Sequence, residues 1–234
     1  MLFKGYSPLI LTGTLQTITL ALLSLIVSIF IGLAGALAKL STRPLLRYPA
    51  MFYTTLIRGV PDLVLMLLLF YSFQIGLNQF TDWLEINPID LDPFITGILT
   101  LGFIYGAYFT ETFRGAFLSA PRGQIDAGFA YGMSSFQVFR RILFAHIMRS
   151  ALPGIANNWQ VLIKATALVS IIGLYDLVKA AQEAGRAALN SFAFMALAAL
   201  IYLILTTLSN FALIWLERRY VLDRRQPQPQ RAQL

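Results

Sequence analysis

Five stretches of the chain are apolar for long enough to cross a bilayer, and the polar residues gather between them. A spanning helix needs about 20 mostly apolar residues. Residues 5–38 carry no charge, which leaves room for a span and an approach segment. Residues 48–81 are apolar again but are cut by Arg58-Gly59-Val60-Pro61-Asp62. Pro61 cannot donate an i to i−4 hydrogen bond and Gly59 weakens the turn before it. The expectation is a helical lead-in, a break, and a span over about 62–81. Three more spans are expected over about 93–113, 150–175 (which contains Lys164) and 187–216, the last free of charge. No removable signal peptide is expected, because the first apolar stretch begins too near the start for a basic region and a cleavage site.

Composition agrees with this pattern. Hydrophobic residues make up 57% of the 234 and charged residues only 12%, about half the roughly 25% of soluble domains. A soluble fold of this length would need more polar residues to cover its surface, so the expected class is all-α and integral to a membrane. With no cysteine there is neither a disulfide framework nor a thiolate metal site. His146 is the one histidine and has no partner at metal-ligand spacing.

The net charge of +7 raises nucleic acid as a partner until the charges are placed. Lys39, Arg43 and Arg47 follow the first span. Arg114, Arg122, Arg140, Arg141 and Arg149 lie between the third and fourth, and Arg218, Arg219, Arg224, Arg225 and Arg231 follow the fifth. In a five-span chain all of these fall on one side, against Lys4, Lys179 and Arg186 on the other. The loop between spans two and three is acidic, with Asp82, Glu85, Asp90 and Asp92. The positive-inside rule then puts the N-terminus outside and the C-terminus inside. The basic excess reports topology, and nucleic acid is not an expected partner; membrane lipid is. The tail around Gln226-Pro227-Gln228-Pro229-Gln230 is polar and proline-rich, a composition that favours disorder.

The longest internal loop, about 115–149, is more than a turn. Ile125, Phe129, Phe136, Phe139 and Leu143 recur at helical intervals or multiples of them. Gly132 can take the left-handed conformation that ends a helix, and Ser134 with Gln137 has capping-box spacing for a second one. Two short helices meeting at a bend are expected, near the membrane surface. On pattern alone, a helix that only anchors the loop in headgroups fits as well.

Asp126-Ala127-Gly128, then Gly132, then Ile142 match the spacing of the EAA signature of ABC importer permeases. With Glu111-Thr-Phe-Arg-Gly115, Gly123-Gln124, Arg58-Gly59-Val60-Pro61, Ala151-Leu152-Pro153 and Asn157-Asn158, the chain resembles the type I permeases for polar amino acids over about 11–215. It is most similar to Q-type subunits serving histidine, lysine, arginine and ornithine. Asp126 stands where the family usually has Glu, Gly128 where it has a second Ala, and Ala145 where many members have Pro.

The resemblance implies a non-catalytic transmembrane subunit in a bacterial inner membrane. Residues 1–10 would be a periplasmic segment, 11–216 the type I transmembrane domain, and 217–234 a cytoplasmic tail. Asp126, Ala127, Gly128, Gly132 and Ile142 would lie in the loop that docks on a cytoplasmic ATPase dimer. The other implied partners are a paralogous M-type permease subunit and a periplasmic amino-acid-binding protein. No phosphate-binding G-x-x-x-x-G-K loop is present, so ATP and Mg belong to the ATPase chain and this chain binds no cofactor.

A path for zwitterions through hydrocarbon needs polar side chains, and intramembrane polar residues are functional candidates first. They are Asp62, Tyr105, Tyr108 and Glu111, and in the fourth span Asn157, Asn158, Gln160, Lys164 and Thr166. Each has a plainer alternative: the amides can cross-link helices, and Asp62 can pair with Arg58 or Lys164. The family usually has an apolar residue after this proline, so the acid of Asp62 hints at a cationic side chain. Arg58, Glu111 and Arg114 are expected as a structural ion pair near the cytoplasmic ends of their spans. Gly102 and Gly106 form a small-xxx-small pair suited to close helix packing. A secondary transporter would predict an internal inverted repeat, which an odd span count excludes. A membrane enzyme would predict paired carboxylates or histidines in the spans. Opines remain the alternative substrate.

Overall fold

A computed structural model describes residues 5–87 and 89–221, and every regular element among them is helical. Lys4 and residues 222–234, with most of the tail expected to be disordered, lie outside the described residues. Five helical stretches are long and apolar enough to span: Ser7–Leu40, Asp62–Trp83, Pro93–Leu118, Ser135–Ile172 and Ser191–Arg218. Their order is α1 (Ser7–Leu40), α2 (Pro44–Gly59), α3 (Asp62–Trp83), α4 (Pro93–Leu118), α5 (Arg122–Ala130), α6 (Ser135–Val138), α7 (Phe144–Ala165), α8 (Leu177–Ala187) and α9 (Ser191–Val221).

The break at Val60-Pro61 separates α2 from α3 as the residues dictate, with both in extended conformation. Two expected boundaries are corrected. The fourth span does not start near 150: one π turn (Phe139–Leu143) joins α6 to α7, and a 3-10 segment (Thr166–Ile172) continues it. Pro153 is accommodated inside α7. The helical path runs from the Ser134 cap to Gly173, which ends it in the left-handed region at φ 99°. The fifth helix also runs on to Val221, so residues 217–221 of the expected tail are helical.

Helix α1 packs against α4 along most of its length, and small residues allow the approach. A Cβ on Gly102 would stand 2.4 Å from Val27 Cγ1, and one on Gly106 2.6 Å from Ile31 Cγ2. Tyr105, Phe109, Ile104 and Leu101 form the centre of the core with Leu20 and Ala21 of α1. Close contact through small residues is how helices associate when lipid is as apolar as they are.

Helix α8 lies between the fourth and fifth expected spans, where the apolar pattern predicts no element. Leu177, Ala180, Ala181 and Ala184 bury one face of it against Ile10, Phe194 and Ala198. Asp176 starts it: one carboxylate oxygen accepts from the Lys179 N–H at 2.9 Å, while Oδ2 is buried without a partner. The Leu177 N–H donates to Thr17 Oγ1 of α1 at 3.1 Å. Burial pushes the Asp176 carboxyl up from 3.8 to about 6. Between those values the folded chain holds a proton that the unfolded chain has lost, so raising the pH through this window destabilises the fold, by roughly 3 kcal/mol in all. Thermal unfolding should therefore shift to lower temperature between pH 4 and pH 6.5. Asp176→Asn, which keeps the capping acceptor and removes the charge, should flatten that dependence.

Candidate functional site

The break between α2 and α3 sets two charged residues, exposed Arg58 and half-buried Asp62, beside the middle of α4. Tyr105 lies twelve residues into α4, roughly 18 Å from its start, and so at half the helix's length. Its hydroxyl donates to Asp62 Oδ2 at 2.9 Å. Asp62 is the first residue of α3, where the helix dipole favours a carboxylate, and it is half-buried. Tyr108 stacks on Tyr105 with ring centroids 5.6 Å apart, and the Arg58 guanidinium lies 5.6 Å from the Tyr108 centroid. Asp62, Tyr105, Tyr108 and Arg58 are thus one cluster around the broken helix, with a cation over an aromatic face and a carboxylate beside it.

The expected ion pair through Arg58 is corrected. Glu111 is held by Lys39 and by Arg114, whose Nε donates to Glu111 Oε2 at 2.9 Å. Lys39 also donates to Thr54 Oγ1 at 2.8 Å. The tight α1–α4 packing carries Lys39, in the last turn of α1, alongside Glu111. Helix α2, 16 residues long, brings Arg58 over the Tyr108 ring, about one turn of α4 before Glu111. Glu111 with its two cations, one on each carboxylate oxygen, is a structural tie between α1, α2 and α4. Lys39 was counted in sequence as one more basic loop residue, although its position at the end of a charge-free helix marked it.

The remaining path candidates do not meet at one point. Asn158 Nδ2 donates to Thr112 Oγ1 of α4 at 3.0 Å, and Gln160 Nε2 to the Thr206 carbonyl of α9 at 3.1 Å. Thr166 donates to the Ile163 carbonyl and lies 3.2 Å from the Tyr202 hydroxyl. These three tie helices together. Asn157 is exposed. His146 Nε2 donates to the Ser119 carbonyl at 2.8 Å.

The loop is a bend of defined geometry. Gly132 has φ 78°, and the N–H groups of Gly132 and Met133 donate to the carbonyls of Phe129 and Gly128 at 2.9 and 3.1 Å. This is the Schellman pairing that satisfies the end of α5. Ser134 and Gln137 then form a reciprocal capping box. A Cβ on Gly128 would stand 2.8 Å from Ile142 Cδ1 and 3.2 Å from Val138 Cγ2, so two residues of the signature close the bend against each other. Asp126 and Ala127 point outward, with Tyr131 at 87% and Phe136 at 69% exposure beside them.

A five-span helical bundle with a broken second span, a mid-depth charged cluster and a bent, exposed loop defines a membrane permease subunit. Residues 28–222 match the model of the binding-protein-dependent transport system inner membrane component, and the chain belongs to that family. It is 58% identical to the histidine/lysine/arginine/ornithine transport system permease protein HisQ of Salmonella typhimurium, over 92% of this chain and 95% of that one. It is 36% identical to the octopine transport system permease protein OccQ of Rhizobium radiobacter, over 88% and 87%. Among solved structures, an amino acid ABC transporter crystallised with histidines superposes with a TM-score of 0.78 at 29% identity, covering 92% of this chain and 95% of that one. The protein is a multi-pass inner-membrane permease of an ABC-type transport system.

Proposed function

We propose that this chain is one transmembrane half of an importer that moves histidine, arginine, lysine and ornithine inward by alternating access. Asp62 would receive the cationic side chain of the substrate, with Tyr105 and Tyr108 as its aromatic walls. The observation that carries this reading is the Asp62–Tyr105 pair at half the length of α4: a carboxylate that forms no ion pair among the described residues, where both pairs involve Glu111, although Arg58 lies nearby over Tyr108. An ionised acid at that depth needs water, a cationic neighbour or a cationic ligand. The identity to a permease for basic amino acids, well above that to an octopine permease, favours the same substrate class.

The charge distribution supports a periplasmic N-terminus and a cytoplasmic C-terminus. The loop at 115–149 would then face the cytoplasm, where Asp126, Ala127, Gly128, Gly132 and Ile142 form the bend received by an ATPase dimer that holds ATP and Mg. A paralogous permease would complete the path, because two copies of this chain would bring two Asp62 acids near one another, and a periplasmic binding protein would deliver the substrate. The test is purification of the tagged chain from its native membrane, native mass spectrometry of the complex, and uptake in proteoliposomes supplied with the binding protein. ATP-dependent arginine and histidine uptake, with one copy of this chain beside a different permease, is expected. Two copies and no paralogue, or uptake of neutral amino acids alone, would overturn the corresponding part.

A further inference from the structure

Outward-facing polar residues of the bundle mostly satisfy themselves. Thr12 and Thr19, exposed on α1, donate to the carbonyls of Pro8 and Leu15. One face of α7 does not follow this rule. Pro153, Asn157, Val161, Lys164 and, beyond the 3-10 turn, Ile171 are exposed at helical spacing. Asn157 and Lys164 form no hydrogen bond or ion pair among the described residues. Gln160, one turn before Lys164, reaches across to α9, and with Thr206, Thr207, Asn210 and Phe211 it lines a cavity of about 310 Å³.

The depth of Lys164 follows from its neighbours. Asn158 is bonded to Thr112, and a Cβ on Gly154 would meet the same residue at 2.6 Å. Helices α4 and α7 run in opposite directions, so Lys164, six residues or roughly 9 Å past Asn158, stands level with Gly106 in the middle of α4. The helical path ends at Ile172, eight residues or at least roughly 12 Å further on, beyond the reach of a lysine side chain. A lysine facing hydrocarbon at the centre is strongly disfavoured, and a water-soluble partner does not reach this depth.

We propose that Lys164, with the free Asn157 amide on the same face, is a carboxylate-binding site at mid-membrane depth. The carboxylate has two possible sources. One is the α-carboxylate of the passing amino acid, which rests on the transport reading above; the other is an acidic side chain of the paired permease, which does not. In the first case Lys164 takes the anionic end of the zwitterion.

The test uses the complete membrane complex in nanodiscs, without the binding protein, as wild type, Lys164→Gln and Lys164→Arg. Calorimetry with arginine and argininamide should give a wild-type preference for arginine of about ten- to a hundredfold, the size of a charged hydrogen bond. That preference is lost in Lys164→Gln and kept in Lys164→Arg, with the subunit composition unchanged on native mass spectrometry. A partner-side carboxylate instead gives a carbodiimide cross-link from Lys164 to the second permease, and loss of that subunit in Lys164→Gln. An intact Lys164→Gln complex with wild-type preference, and no cross-link in wild type, overturns the site. A wild-type complex that binds neither arginine nor histidine refutes the transport reading, and the cross-link then decides the site by itself.

Discussion

Asp62→Asn is expected to lower arginine and lysine uptake about ten- to a hundredfold while leaving uptake of neutral histidine within a few-fold of wild type. The substitution keeps the size of the side chain and an acceptor for the Tyr105 hydroxyl, which bonds Asp62 Oδ2 at 2.9 Å. What it removes is the charge. A hydrogen bond between ionised partners contributes roughly 1.5–3 kcal/mol, and at half the length of α4 little water competes for it. Histidine supplies an internal control, because its imidazole has a pKa of about 6.5. Above pH 7.5 it travels without a side-chain charge and should be spared; near pH 5.5 it is a cation and should fall with arginine. The measurement is proteoliposome uptake of the three amino acids at both pH values, with the amount of assembled complex measured in parallel. Equal losses for all substrates at both pH values, together with poor assembly, would make Asp62 a structural partner of Tyr105 and α3 and nothing more.

The sequence made the spans legible because twenty apolar residues in a row have few other uses, and because Pro61 and Gly59 mark a break that no helix can ignore. The depth of that break was not legible. Arg58 and Glu111 both lie near the expected cytoplasmic ends of their spans, which suggested that they meet there. In the fold the end of α2 lays Arg58 over the Tyr108 ring, one turn of α4 short of Glu111, and Lys39 takes its place at Glu111. Spacing gave residue identities on a line; only the packing of α1 against α4 decides which of them share a level. Helix α8 was missed for a different reason. Leu177, Ala180, Ala181 and Ala184 have helical spacing, and Asp176 is a good cap, but alanines weigh little in an apolar pattern and the stretch does not stand out between two spans. The loop shows the converse: the Ser134–Gln137 capping box and the left-handed Gly132 were readable from residue types, whereas the Gly128–Ile142 contact depends on the angle that those two features set together.

That angle is what Gly132→Val should break. Its φ of 78° is a conformation that a β-branched side chain adopts only at a cost of order 1–3 kcal/mol. The cheapest relief is rotation of the backbone into a negative φ, which removes the bonds from Gly132 and Met133 to Phe129 and Gly128 and swings α5 away from α6. Asp126 and Ala127 would then leave the place where an ATPase would receive them, while the spans, whose core lies elsewhere, stay folded. The expected result is a complex that assembles and hydrolyses ATP at its resting rate but loses most transport, at least tenfold, and most stimulation of hydrolysis by the loaded binding protein. Gly132→Asn is the control that separates strain from loss of a small residue. Asparagine tolerates the left-handed region far better than valine, so it should restore much of both activities. Uptake and ATPase rates measured on the same preparations of wild type and the two variants make the comparison. Wild-type transport and stimulation in Gly132→Val would show that the bend is not the coupling element, and equal losses in both variants would show that the space at Gly132, rather than its backbone conformation, is what the ATPase requires.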